Sequence, residues 1–171
     1  MVKWGIIGCG GIAKRRVIPA LPECRLSELA AVMDLNPAAV EEISSQTGAK
    51  GYLTEAELLA DPDVQAVYIA TPVYLHHDQV IAAAKAGKHI LVEKAIALNA
   101  TEAEEMIAAC REAGVYLTEG YMMKFHDLNK KARELVQNGD IGNVVFARAQ
   151  LSCWYPDIPG AWRQQRNMGG G

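Results

Sequence analysis

Five short segments of this chain are apolar almost throughout: "KWGII", "SELAAVMD", "VQAVYIAT", "KHILVE" and "VYLT". A strand with no polar face cannot lie against water on either side, so each must sit in a sheet covered above and below. The segments between them carry helical signals. "NPAAVEEISSQTG" offers Asn36 as N-cap and Pro37 at the first helical position, with Gly48 to stop it. "TEAELLAD" and "TEAEEMIAACREAG" predict capping boxes, Thr54 with Glu57 and Thr101 with Glu104. "HHDQVIAAAKAG" reads as a helix closed by Gly87. Strands joined by helices rather than hairpin turns must run parallel. The expectation is an α/β fold, a Rossmann-type doubly wound parallel sheet over residues 1–120. Beyond Tyr121 the pattern changes. "HDLNKKARELVQNG" predicts one more helix, and "NVVFARAQLSC" alternates as an antiparallel strand would, so residues 121–171 read as the start of a second α/β domain with an antiparallel sheet.

Charge and composition narrow the function classes. The 171 residues carry a net charge of −3, which argues against nucleic acid as a partner, and "NKKAR" is better read as a solvated helix face. Four cysteines show neither a CxxC pair nor zinc-like spacing, so they are expected to be free thiols in a reducing compartment, with no metal site. No apolar run reaches the roughly 18 residues of a membrane span. Glycines spoil the N-terminal stretch as a secretory signal, so the protein is expected to be cytoplasmic with no membrane partner.

Chemistry-bearing residues gather where predicted strands end. "GCGGIA" places Gly8-x-Gly10-x-x-Ala13 between the first strand and a helix, the context a dinucleotide fingerprint demands. Gly8 permits the tight turn, Gly10 lets backbone approach a pyrophosphate, and the amides of Gly10, Gly11 and Ile12 face it at a helix start. Asp34 closes the second strand, where a carboxylate accepts from both ribose hydroxyls of an adenosine and repels a 2′-phosphate. No arginine follows it, so NAD is favoured over NADP. Thr71 and Pro72 follow another strand as a cofactor wall, with His76 on the next turn. Lys94 follows "HILVE". It either meets a substrate oxygen or pairs as an ordinary ammonium with Glu93. There is no G-x-S-x-G, H-E-x-x-H or P-loop pattern.

Together "KWGIIGCGGIA", "IATPVYLHHDQVIAAAKAGKHILVEKAIAL" and "EGYMMKFH" resemble the glucose–fructose oxidoreductase / inositol dehydrogenase / MocA family. The resemblance implies hydride transfer between a nicotinamide cofactor and a sugar, cyclitol or related polyol, in a full-length homo-oligomer. It implies a substrate-contacting lysine at Lys94, with Glu93 among the cofactor-site residues. Several positions depart from the family pattern. Ala95 replaces the proline after the lysine, leaving a bond that is often cis in the family open to either isomer. Val73 replaces an asparagine, and Lys124-Phe125 and Asp127 replace Arg-Phe and a following proline. The family's catalytic aspartate and histidine would follow a glycine tract like the one at the end of this chain, so the 171 residues alone are expected to be inactive. A dinucleotide-binding module without turnover is the alternative. A biliverdin or dihydrodipicolinate type of reductase fits "WRQQRNMGGG" less well.

Overall fold

A computed structural model of the chain describes residues 1–171 except Tyr155, Asp157, Gly160, Gly170 and Gly171. Six strands form one sheet: β1 Val2–Ile7, β2 Ser27–Met33, β3 Lys50–Tyr52, β4 Ala66–Ile69, β5 His89–Val92 and β6 Leu117–Glu119. Their order is β3-β2-β1-β4-β5-β6, and every neighbouring pair is parallel. This is the doubly wound order, with its topological switch between β1 and β4. All six strands therefore end at one edge of the sheet.

The helices cover both faces. A π-helical turn, Ala13–Val17, leads into α1, Ile18–Ala20; α2 spans Pro37–Thr47, α3 Glu55–Ala60, α4 His76–Lys85 and α5 Ala100–Glu112. Alternation along β1 divides the core. Ile7 lies with Leu58, Val80, Ala83, Met106 and Cys110 of α3, α4 and α5, whereas Ile6 lies with Ala13, Val40 and Ile43 of the first helix and α2. Strands covered on both sides can be apolar throughout, and all four residues of β4 are buried.

Local signals set most boundaries. The Asn36 side chain accepts from the Ala38 amide, and Gly48 ends α2 at φ 75°. Thr54 and Glu57 form the reciprocal capping box of α3. For α5 the expectation of a box at Thr101 is corrected, because the helix starts two residues earlier. Asn99 caps it by accepting from the Glu102 amide at 3.0 Å, while Glu102 reaches back to the Leu98 amide at 3.0 Å.

By compactness the chain forms two units, Met1–Gly120 with Trp162–Gly171, and Tyr121–Ala161. The closing turns, Trp162–Gln164 and α7 (Arg166–Gly169), thus group with the sheet, and α7 lies against the 3-10 turn Val73–Leu75. In the second unit the turn Met122–Phe125 precedes α6, Asp127–Gln137, whose first amides are met by His126. The expected antiparallel strand in 143–153 is absent. A strand needs a neighbour's backbone to bond, no described residue provides one, and Val145, Phe146 and Leu151 stay exposed.

Between α4 and α5, His77 Nδ1 lies 2.8 Å from Asp78 Oδ1 and Nε2 2.8 Å from Glu105 Oε2. The Asp78 bond raises the His77 pKa, partial burial opposes it, and Glu105 adds to the rise. A raised folded pKa stabilises fully below about 6.5 and loses that contribution as pH climbs through the raised value. Exposed pairs of this kind are worth up to about 1 kcal/mol, roughly 2–4 °C at this chain length. The melting-temperature difference between pH 6 and pH 8 should therefore shrink by a few degrees in His77→Gln. An unchanged difference would show that these pairs contribute nothing.

Candidate functional site

The loops leaving the strand ends are tied to one another, and the ties begin at Gly8. Its amide donates to the Met33 carbonyl at 2.8 Å, its φ is 99°, and a Cβ there would stand 3.0 Å from the Ala70 backbone and the Thr71 methyl. Only glycine fits both the backbone region and the space. Across the switch point, the Ala70 amide donates to the Ile7 carbonyl at 2.8 Å. The chain then turns at Cys9, whose amide donates to Asp34 Oδ2 at 2.7 Å, while Asp34 Oδ1 accepts from the Asn36 amide at 2.9 Å. Asp34 is thus a structural tie between β1 and β2 that keeps lone pairs on both oxygens for a further donor.

Gly10 differs from Gly8. A Cβ at Gly10 would meet nothing within 4 Å, so no protein neighbour demands a glycine there. Open space lies there instead, at the start of a helix where Gly10, Gly11 and Ile12 offer amides without intrahelical acceptors. The Arg15 guanidinium folds over Gly11, 2.6 Å from a would-be Cβ, and adds positive charge. Ala13 is fully buried against the sheet, as the small third position of the fingerprint requires. A bare glycine, early-helix amides and a guanidinium fit a pyrophosphate. The Cys9 thiol inside this turn is buried, and burial followed by the Asp34 charge pushes its pKa up to about 11. It therefore stays protonated and packs, with Sγ 3.6 Å from the Met33 carbonyl.

The β4 and β5 loops form the other half of the edge. The Thr71 hydroxyl donates to Gln79 Oε1 of α4, and Pro72 starts the 3-10 turn. His76 is buried beside these loops. Its ring is 1% exposed, with Nδ1 3.0 Å from the Ala95 carbonyl oxygen and Nε2 2.9 Å from that of Thr71. A neutral imidazole carries one N–H, so one of these two contacts is the hydrogen bond, and the buried ring lies between the Thr71 and Ala95 carbonyls of two successive loops. Glu93 is engaged as well: Oε1 accepts from the Tyr68 hydroxyl and Oε2 from the Lys94 amide at 3.3 Å. Burial, then that carboxylate, holds the Tyr68 phenol well above its usual range. Lys94 itself is exposed, its peptide bond to Ala95 is cis, and its ammonium has no ion pair among the described residues. The alternative in which Lys94 pairs with Glu93 is not formed.

The residues missed from sequence are Tyr68, Gln79, Arg15 and Glu119. Glu119 had a legible signal. It ends an apolar strand with a carboxylate, as Asp34 and Glu93 do. Among the described residues no three His, Cys, Asp or Glu side chains gather as a metal would need, and no helix is long and apolar enough to cross a membrane.

Comparison with known proteins places this geometry. Residues 2–121 match the family model described as "Oxidoreductase family, NAD-binding Rossmann fold". The 1,5-anhydro-D-fructose reductase of Ensifer adhaerens is 34% identical over 100% of this chain and 51% of its own length. A 3-ketoreductase from Actinomadura kijaniata, solved with NADP and TDP-benzene, superposes with a TM-score of 0.85 at 31% identity, covering 99% of this chain and 52% of that one. The WlbA dehydrogenase of Bordetella pertussis, solved with NADH and UDP-GlcNAcA, gives 0.77 at 31% identity over 82% and 42% of the two chains. The chain spans about half the length of the curated relatives it matches.

The two glycines separate packing from binding. Gly8→Ala should destabilise the fold by roughly 1–3 kcal/mol, because it forces a side chain into a left-handed backbone and against Ala70. Gly10→Ala should leave the melting temperature within about 1 °C of wild type yet weaken NADH binding at least tenfold. Thermal melts beside calorimetric titrations check both. A Gly10→Ala variant that binds as before would remove the pyrophosphate from this loop.

Proposed function

The chain belongs to the Gfo/Idh/MocA oxidoreductase family, and from that premise we propose that it forms the nicotinamide-binding part of an enzyme that transfers a hydride between NAD(H) and a sugar, cyclitol or related polyol. The observation that carries this reading is the shared edge. The open backbone at Gly10, after β1, and Lys94, after β5 and without an ion pair among the described residues, lie at the same edge of the sheet on either side of the switch point. A bound nicotinamide would supply the hydride chemistry. The amides of Gly10, Gly11 and Ile12 hold the pyrophosphate, Asp34 takes ribose hydroxyls, and Thr71, Pro72 and Glu93 border the nicotinamide end. Lys94 meets the reacting oxygen of the substrate as a hydrogen-bond donor, and in the reductive direction its ammonium would give that oxygen a proton as the carbonyl carbon takes up hydride, the reverse holding for oxidation.

The relatives divide between NADP and NADH, so the carboxylate at Asp34 is the selector. A second anion about 5 Å from a carboxylate is disfavoured by roughly 3 kcal/mol at an effective dielectric near 20. Free thiols at Cys9, Cys24, Cys110 and Cys153 support a cytoplasmic setting. The net charge of −3 speaks against nucleic acid. A homo-oligomeric full-length form rests on the family resemblance.

Two measurements on the full-length protein test this. NADH should bind at least tenfold more tightly than NADPH, and Asp34→Ser should narrow that ratio; equal affinities in the wild type would remove the selecting role of Asp34. Lys94→Ala should lower turnover with a polyol panel about 10²-fold or more while NADH affinity stays within about twofold. Collapse of NADH affinity with intact turnover of the bound complex would make Lys94 a cofactor ligand instead. A protein that binds NADH but turns over no polyol would favour the binding-module alternative.

A further inference from the structure

Lys94 is an exposed residue beyond the last rung of β5, and nothing in its own side chain explains how it would be aimed. We propose that Glu119 is a positioning residue that holds the backbone immediately after Lys94, so that the ammonium meets the substrate in one orientation. This inference rests on the reading of Lys94 above.

The segment 94–96 is held by side chains from three other positions rather than by the sheet. The Lys94 amide donates to Glu93 Oε2 at 3.3 Å, the Ala95 carbonyl oxygen lies 3.0 Å from His76 Nδ1, and the Ile96 amide donates to Glu119 Oε1 at 3.0 Å. His76 is buried, and its second nitrogen lies 2.9 Å from the Thr71 carbonyl oxygen. Glu93 is braced by the Tyr68 hydroxyl. Glu119 completes the set from the far side. Parallel register sets it beside Val92, and the Gly120 amide donates to the Val92 carbonyl at 2.8 Å, which anchors the end of β6 next to the start of the loop. A carboxylate closing an edge strand would ordinarily turn to solvent. This one reaches across to the Ile96 amide.

A carboxylate accepting from a backbone amide makes a stronger bond than a neutral acceptor does. Glutamine keeps an oxygen at the same reach, whereas alanine leaves the Ile96 amide with no side-chain acceptor. A displacement of about 1 Å in a reacting group costs up to roughly 10²-fold in rate. Glu119 has no hydrogen bond to the Gly10 turn or to Asp34, which take the pyrophosphate and ribose in this reading, so its loss should bear on turnover far more than on cofactor affinity.

The test uses the full-length protein with NAD and the polyol it turns over best. Glu119→Ala should lower kcat by about 10- to 100-fold with NADH affinity within about twofold, and Glu119→Gln should restore kcat to within about threefold of wild type. In a Lys94→Ala background, Glu119→Ala should change kcat by less than about twofold, since its effect passes through Lys94. Amide exchange at Ile96, read by NMR, should be at least tenfold faster in Glu119→Ala and unchanged in Glu119→Gln. Wild-type kcat in Glu119→Ala, a Glu119→Gln variant as damaged as Glu119→Ala, a full additional loss in the Lys94→Ala background, or unaltered Ile96 exchange would each overturn the proposal. If Lys94→Ala itself retains turnover, the reading of Lys94 fails and the inference falls with it. If Lys94→Ala is inactive and Glu119→Ala is not, only the inference falls.

Discussion

Parallel strands end together, and where they end the ladder stops offering acceptors to the backbone amides that follow. An unmet buried amide costs about 1–3 kcal/mol, so the loops at such an edge need partners from side chains. In this chain carboxylates meet that need. Asp34 accepts from the Cys9 and Asn36 amides, Glu93 from Lys94, Glu119 from Ile96 and Glu102 from Leu98. Three of them are the residues that close β2, β5 and β6 or follow directly. The glycine turn, the β5 loop and the start of α5 all take their shapes from this arrangement.

The same arrangement divides labour between tying and binding. Gly8 and His76 are enclosed by the protein itself: one has no room for a Cβ, and the other is a buried ring with a backbone carbonyl oxygen within 3.0 Å of each nitrogen. Gly10 and Lys94 are the reverse, residues whose identity the surrounding protein does not explain. Asp34 stands between the two groups, since it ties β1 to β2 and still has lone pairs for a further donor. A residue of this kind makes selectivity and stability hard to separate, because replacing it disturbs the turn as well as the ligand. Gly10 and Glu119 are the cleaner probes for that reason.

Much of the fold was legible because its signals are local. The strand runs, the Asn36 and Thr54 caps, the glycine stops and the fingerprint each depend on a few adjacent residues. The misses share a cause. Thr101 and Asn99 both satisfy the local capping rule, and the choice fell to Asn99 because Glu102 bonds back to Leu98. The segment 143–153 has the alternation of a strand, yet alternation says nothing about a neighbour to bond. For His76 the sequence gives a position near the site and not the carbonyl oxygens of Thr71 and Ala95 beside its ring.

From the sequence alone came the class of fold, the strand ends at which chemistry collects, and the identities of Gly8, Gly10, Asp34 and Lys94 as the residues to watch. These follow from periodicity and from the steric limits of glycine, properties that neighbours along the chain carry between them. The tertiary structure alone decided which of those residues remain available to a ligand. Glu119 lies 23 positions from the Ile96 amide it holds, and His76 lies 19 from the Ala95 carbonyl. No local rule links such pairs. They meet because β4, β5 and β6 stand side by side in the sheet, and adjacency across parallel strands is set by the packing of helices on both faces.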